Sequence, residues 1–563
     1  MKRCALFICL VLVSTLLRAE TGRGIIIRGQ FADTEFSISE AQSQAIADRA
    51  SAWLDAQFSP GKTFSFDLGP VVTLSGWKSM YASNSSEIKD VRIGEAVREA
   101  CILSNNDVDF SKYEYLIVMF SGGSEADGAG SDCVWPQQST LSDYGTSLTL
   151  DGTVLNSFID FTETCRAGTL CHEFMHTLGL EDLYDTDGEW SGGLSKGLYG
   201  SLSIMDKGLW NGDGQTPPFL NAIELDALGM GTCKDLTPGS HTLPPIGSSR
   251  TYLKHETGTK GEYYLFECRK AESWDEFIGG EGLLVYHIDK SAENAWYSDY
   301  YKRNLTGAER WQFNQINCRP DHECALVMEA DPHSNSIADV FFPRDSHTSF
   351  GSDTEPSWRY WNGETSPYAL TGIRMLPDGS VSFDVITPIT MKSCEVFQDA
   401  AILKWSIDPH LADYQCEVSW TEGYSTRTEV VHPVSALNYA FSVEGLKGGT
   451  DYNISIRTTD NNGSAFSTTV RCTTKPILDG VHPYIYLNES TRNSDGSFQI
   501  GSSLLLRVFN AAGVAETRWY LDGKRIEPAP DGRYTITCSG TLKAEVFYVS
   551  GGKDIIIKEI TAR

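Results

Sequence analysis

His172, Glu173 and His176 stand at the spacing His-Glu-x-x-His, and Asp182 follows ten positions after the first histidine. On a helix, residues four apart share a face, so both imidazoles can offer a nitrogen to one metal ion with Glu173 beside them. Gly179 lets the chain leave the helix. Asp182 then falls where the extended zinc-hydrolase pattern places its third ligand, here a carboxylate oxygen instead of imidazole. Three protein ligands leave one position on zinc open for water, and an adjacent carboxylate can take that water's proton. The spacing therefore predicts one catalytic zinc on His172, His176 and Asp182, with Glu173 as base in peptide-bond hydrolysis. Glu181 is the alternative carboxylate. A chain of this length would show the five-residue pattern by accident about once in a hundred sequences, and the added glycine and ligand lower that to about one in several thousand.

These residues need a scaffold. Gly24 to Arg28 reads as a strand, Ser39 to Phe58 as an amphipathic helix capped by Ser39, and Tyr115 to Phe120 as a buried strand. A further β-like stretch near Ser157 to Phe161 precedes the active helix, expected over 165–180. Downstream, Gly200-Ser-Leu-Ser-Ile-Met-Asp206 reads as a Met-turn, which lays Met205 beneath the metal without ligating it. Cys171 adjoins His172 in sequence but points about 100° away on a helix, so a buried structural thiol is expected. His287, inside the β-like run Leu283 to Ile288, reads as structural too.

The chain has 563 residues, too many for one core, and about 150 residues per domain suggests three or four domains. Met1-Lys2-Arg3, the apolar run from Cys4 to Leu17 and Arg18-Ala19 have the layout of a signal peptide, so export to the cell surface, periplasm or medium is expected. The run is shorter than the roughly 18 to 20 residues of a spanning helix, and no transmembrane segment is expected. A formal net charge of −28 argues against nucleic acid as a partner. Of fourteen cysteines, Cys4 and Cys9 leave with the signal, and an even remainder in an exported chain permits disulfides, with Cys318–Cys324 and Cys416–Cys472 as candidate pairs.

Taken together, these motifs resemble the M6, or immune inhibitor A-like, metallopeptidases, metzincin-like zincins whose motif HExxHxxGxxD continues into Leu-Tyr-Asp, here Leu183-Tyr184-Asp185. The resemblance extends back to Tyr115–Gly123 and Val134-Trp135-Pro136, and forward to Pro217-Pro218-Phe219 and Leu228-Gly229. Glu262 to Arg269 and Gly282 to Asp289 look like the β-rich region that follows the protease in that family. It implies a secreted zinc endopeptidase acting on protein or glycoprotein substrates. Two departures stand out. The first strand begins just after the expected cleavage site, so latency through a long prosegment is not expected, and Lys207 occupies the place where some metzincins keep a tyrosine two residues past the Met-turn methionine.

The expected fold class is multidomain: an α+β zincin (metzincin-like) catalytic domain followed by all-β sandwich domains. The expected boundaries are 1–19 signal peptide, 20–232 catalytic domain, 233–388 accompanying β-rich domain, 389–475 fibronectin type III-like, with Tyr452 as corner tyrosine, and 476–563 Ig-like. The acidic loops holding Asp185, Asp187 and Glu189, and Asp107 and Asp109, are candidate calcium sites. The β-modules are read as spacers or as binders of a surface or glycan ligand. The rival function is a surface adhesion or glycan-binding protein carrying a degenerate zincin domain; the intact Glu173 favours the enzyme.

Overall fold

Strands β1 (Glu20–Gln30), β2 (Lys62–Thr73), β3 (Tyr115–Phe120), β4 (Gln137–Thr140) and β5 (Ser157–Thr162) form one sheet in the order β2-β1-β3-β5-β4. All neighbours are parallel except β4, which runs antiparallel to β5 along the sheet's edge. In the computed structural model the described residues are 20–563 apart from 86–88, 335, 412–414, 423–424, 460–462, 488–491 and 530–531. The expected signal peptide, 1–19, lies outside them.

Parallel strands covered on both faces must be apolar on both, and the Ile25-Ile26-Ile27 run of β1 and the Leu116–Phe120 run of β3 meet that demand. Alternate residues divide between two cores. Ile26, Ile117, Met119, Ile159 and Phe161 pack towards α1 (Glu40–Phe58) and the active helix, whereas Ile25, Ile27, Leu116, Val118 and Phe120 pack towards α2 (Ile93–Ser104). Ser39 caps α1 in a reciprocal box with Gln42, as expected from its place before the periodic run.

The active helix α3 spans Ala167–Thr177, shorter at both ends than the expected 165–180. It stops because Gly179 adopts φ +95°, a left-handed conformation that costs glycine little. At its other end Gly168 is required by contact: a Cβ there would lie 1.9 Å from the Leu209 carbonyl oxygen. Phe174 fixes the helix on the sheet through edge contacts with Phe64, Phe66 and Tyr115 at ring separations of 5.2, 5.6 and 4.7 Å. Phe174→Ala should destabilise the protein by about 3–5 kcal/mol in chemical denaturation, the usual cost of an aromatic cavity in a core.

The first core continues into a second sheet, ordered Ala325–Val327, Gly282–Asp289, Glu262–Arg269, Thr251–Glu256 and Thr232–Asp235. Tyr263, Leu265, Tyr286 and Ile288 belong to the same cluster as Phe174 and Met205, so the expected catalytic and β-rich regions share packing. His287 is structural as expected, bonded to Glu262 at 2.8 Å and stacked between Tyr264 and Trp361.

Beyond residue 388 the chain is built from small antiparallel sheets, and among the described residues the only helical element is the short turn Pro409–Leu411. Trp405, Val418, Tyr439 and Ile454 centre one core, and Leu504, Trp519, Leu542 and Val546 another. The Tyr452 hydroxyl accepts the Lys447 N–H at 2.8 Å, the bond expected of a corner tyrosine. The twelve described cysteines are all unbridged. Cys416 and Cys472, one of the expected pairs, lie opposite Thr458 and Tyr452 rather than each other, and the thiol beside Cys472 is Cys394. One strand between the two positions separates them in the sheet, which the spacing in sequence could not reveal.

Candidate metal centre

α3 presents His172, Glu173 and His176 towards a loop that returns Asp182 to them, and His172, Glu173 and Asp182 are buried. Asp182 Oδ1 lies 3.2 Å from His172 Nε2 and 3.3 Å from His176 Nε2. The two imidazole rings are perpendicular, with centroids 4.8 Å apart. His172 Nδ1 is 2.7 Å from the Ile204 carbonyl and His176 Nδ1 is 2.7 Å from the Leu180 carbonyl. A carbonyl can only accept, so each Nδ1 carries the proton and each Nε2 is left with a lone pair.

Three lone-pair atoms therefore face one another in a buried space, and Asp182 Oδ1 has no hydrogen-bond donor of its own. Such an arrangement needs either protons on the imidazoles or a cation between the three atoms, and two imidazole nitrogens with one carboxylate oxygen suit zinc. Burial alone would raise the Asp182 carboxyl, but the two histidines outweigh it and hold it well below the usual carboxylate range. Glu181, the alternative carboxylate, is only half-buried and stands outside the convergent group.

Glu173 does not share this fate. Burial raises its carboxyl above the ordinary value, and the two histidines and, least, the Gln138 N–H of edge strand β4 oppose that shift. A raised carboxyl is better matched to proton transfer near neutral pH than an exposed one.

The turn beneath the centre is anchored from several sides. Met205 is fully buried, its carbonyl accepts the Leu183 N–H at 2.8 Å, and its own N–H reaches Ser203 Oγ at 2.9 Å. Glu224, on the short helix Ala222–Ala227, accepts from Ser203 Oγ and from the Met205 N–H at 3.3 Å. The Met205 side chain packs in the core that also holds Leu170 and Phe174.

Asn314, which the motif could not disclose, clamps the third carboxylate. Its Nδ2 donates to Asp182 Oδ2 at 2.7 Å and its Oδ1 accepts the Asp182 N–H at 2.8 Å. No local pattern signals a partner 132 residues away. Orienting partners of this kind are worth about 10–100-fold in metal affinity. Asn314→Ala should weaken zinc binding by that factor in a competition titration while leaving Glu173 in place.

A cavity of about 190 Å³ opens beside Glu173, lined by Trp135, Thr169, Tyr184, Leu209 and Trp210 together with His172. Tyr184 stacks towards His172 with ring centroids 6.5 Å apart. Lys207 lines the same cavity. A larger recess, about 560 Å³, is lined wholly by residues between Gln398 and Trp519 and holds none of the expected site residues.

The calcium expectations divide. Asp185 and Asp187 come together with Cys318; Asp185 accepts the N–H groups of Asp187, Gly188 and Ser195, and Asp187 Oδ2 accepts from Ser191 Oγ, which leaves Asp187 Oδ1 buried without a partner. Glu189 is exposed. Asp109 caps the turn Phe110–Lys112 and pairs with Lys112 at 3.2 Å, and neither it nor Asp107 joins a third metal-type ligand among the described residues.

Comparison with known proteins places a family name on this region. Residues 105–223 match the model described as immune inhibitor A peptidase M6, catalytic domain. No curated protein matches the chain. Similar solved structures include a tetra-tandem repeat from the extending region of a large adhesion protein, 12% identical over 36% of this chain and 65% of that one, with a TM-score of 0.13. A putative glycoside hydrolase from Bacteroides vulgatus is 11% identical over 19% of this chain and 22% of that one, TM-score 0.13. A Bacteroides ovatus SGBP-B from a mixed-linkage glucan utilization locus, in complex with a heptasaccharide, is 18% identical over 30% and 42%, TM-score 0.12. The chain spans less than two thirds of the length of each of these three, and overlaps this weak carry no argument about shape or activity. The family match covers all four residues of the convergent centre: the segment 105–223 is similar to the catalytic domain of the M6 peptidases of the immune inhibitor A type.

Proposed function

We propose that the chain is an exported zinc-dependent endopeptidase of zincin type that hydrolyses peptide bonds in protein or glycoprotein substrates. The observation that carries this reading is the approach of His172 Nε2 and His176 Nε2 to Asp182 Oδ1, at 3.2 and 3.3 Å, beside a buried, protonatable Glu173. When zinc is bound it polarises the scissile carbonyl and makes water a competent nucleophile near neutral pH.

The protein's own groups do the rest. Glu173 takes the proton of the attacking water and passes it to the leaving amine, and its raised carboxyl suits both transfers. β4 is an edge strand of the sheet and lies against the active helix, so an extended substrate can add to it by strand pairing. Tyr184, on the cavity wall beside His172, is the side chain positioned to donate to the substrate carbonyl oxygen, the part left unassigned by Lys207. The walls Trp135, Leu209 and Trp210 suit one apolar substrate side chain. Replacing Trp135 with Ala should raise KM for substrates with a large apolar residue next to the scissile bond more than for those with alanine there, as read from cleavage of paired peptides.

Export rests on the residues 1–19, and among the described residues no helix is long and apolar enough to cross a membrane. The domain limits 20–232, 233–388, 389–475 and 476–563 belong to the same proposal, with the two terminal β-modules as spacers that carry the enzyme or hold it to a surface. The test is cleavage of a denatured protein and of a mucin-type glycoprotein with and without a zinc chelator. Metal-dependent cleavage of either supports the proposal; metal-independent binding with no cleavage of both favours the adhesion reading.

A further inference from the structure

The β-module that begins at Ile389 is entered and left by edge strands. Among the described residues, Ile389–Val396 pairs only with Ala400–Ile407 in its three-stranded sheet, and Ala465–Thr473 pairs only with Asp451–Thr459 in the facing four-stranded sheet. The two edge strands lie against each other and so close the same side of the sandwich. Each carries one cysteine, Cys394 in the first strand of the module and Cys472 in the last.

Register turns both thiols inwards. Cys394 lies opposite Leu403, which is fully buried in the module's core, and Cys472 lies opposite Tyr452, which packs on that core. Directly opposite residues of paired strands share a face of the sheet. Both cysteine side chains accordingly pack against this one core, from facing sheets, and the two thiols are neighbours. They are also the two half-buried cysteines among those described; the others are sealed in cores or, at Cys233 and Cys538, exposed. Cys318 and Cys324, the other expected pair, are buried and join different groups, Asp185 and Asp187 for the first and Asp289 and His322 for the second.

We propose that Cys394 and Cys472 form a disulfide in the exported protein, joining the strand by which the chain enters this module to the strand by which it leaves. One S–S bond forms between them while the S–S bond of a disulfide oxidant breaks; their two protons and two electrons pass to that oxidant, which departs as two thiols. An oxidising compartment supplies such an oxidant, and to that extent the inference rests on the export proposed above. Burial raises both thiols, Cys472 to about 11, which suits a lasting bond rather than a reactive sensor. Tension between the catalytic region and the last β-module then runs through the bond, and residues 395–471 are spared from unravelling.

Equilibration of the full chain with oxidised glutathione, then alkylation under denaturing conditions and peptide mapping by mass spectrometry, tests the pair. The expected result is one linked peptide joining Cys394 to Cys472, absent from Cys394→Ser. Reduction should lower a thermal transition of the wild type by roughly 10 °C and leave Cys394→Ser unchanged. If Cys394→Ser does not fold, the wild type in oxidising and reducing buffer decides alone. Full alkylation of both thiols after equilibration, or Cys472 linked to Cys416 or to any other cysteine, would overturn the pairing, and equal melting of the oxidised and reduced wild type would overturn its part as a clamp. Because the buffer supplies the oxidant, free thiols in this experiment count against the pair itself and not against export.

Discussion

Glu173→Ala should bind zinc as the wild type does and cleave nothing measurable. The three convergent atoms belong to His172, His176 and Asp182, so removing Glu173 leaves them and their supports at Ile204, Leu180 and Asn314 untouched. What is lost is the group that moves the proton. General acid–base catalysis is worth about 10²–10⁴ in rate, and one carboxylate serving both attack and departure of the amine should place the loss at the upper end. Zinc content with kcat/KM on a peptide substrate checks it; wild-type turnover would remove Glu173 from the chemistry.

Asp182→Ala should lose both activity and zinc. Only two imidazoles would remain, and the Asn314 amide that now grips the carboxylate would be left without that partner. A stability effect accompanies the loss of metal, because zinc binds the folded ligand set and not the unfolded chain. The expected readout is substoichiometric zinc after dialysis and a thermal midpoint that no longer responds to added zinc. His172→Ala should behave alike, and full zinc occupancy in either variant would count against ligation. The contrast with Glu173→Ala matters: the same assay separates a ligand from a base.

Much of the catalytic scaffold is legible in the sequence because local rules govern it. The α1 cap at Ser39, the buried strand Tyr115–Phe120 and the turn at Gly179 follow from side-chain preference, hydrophobic runs and backbone freedom within a few residues. The spacing of the helix fixes His172 and His176 on one face. Tyr452 is similarly readable, since its bond to Lys447 closes over five residues.

Features set by register and by long-range packing are not readable in this way. Asn314 reaches Asp182 across 132 residues. Gln137 faces Asp160 only once β4 has turned antiparallel along β5, and nothing in Gln137–Thr140 announces that direction. The shared core of Phe174 and Tyr286 likewise depends on how two sheets pack. Cysteine pairing fails for the same reason, since Cys472 meets Cys394 through the folding of a sandwich and not through spacing.

Zinc-edge anomalous diffraction from crystals of the zinc-loaded protein tests the central assignment most directly. The account predicts one strong peak between His172 Nε2, His176 Nε2 and Asp182 Oδ1, each about 2.0–2.2 Å from the ion, with Glu173 outside the coordination sphere. A peak coordinated by Glu181 in place of Asp182 would correct the third ligand. Zinc bound elsewhere, or no zinc at this centre, would contradict the account.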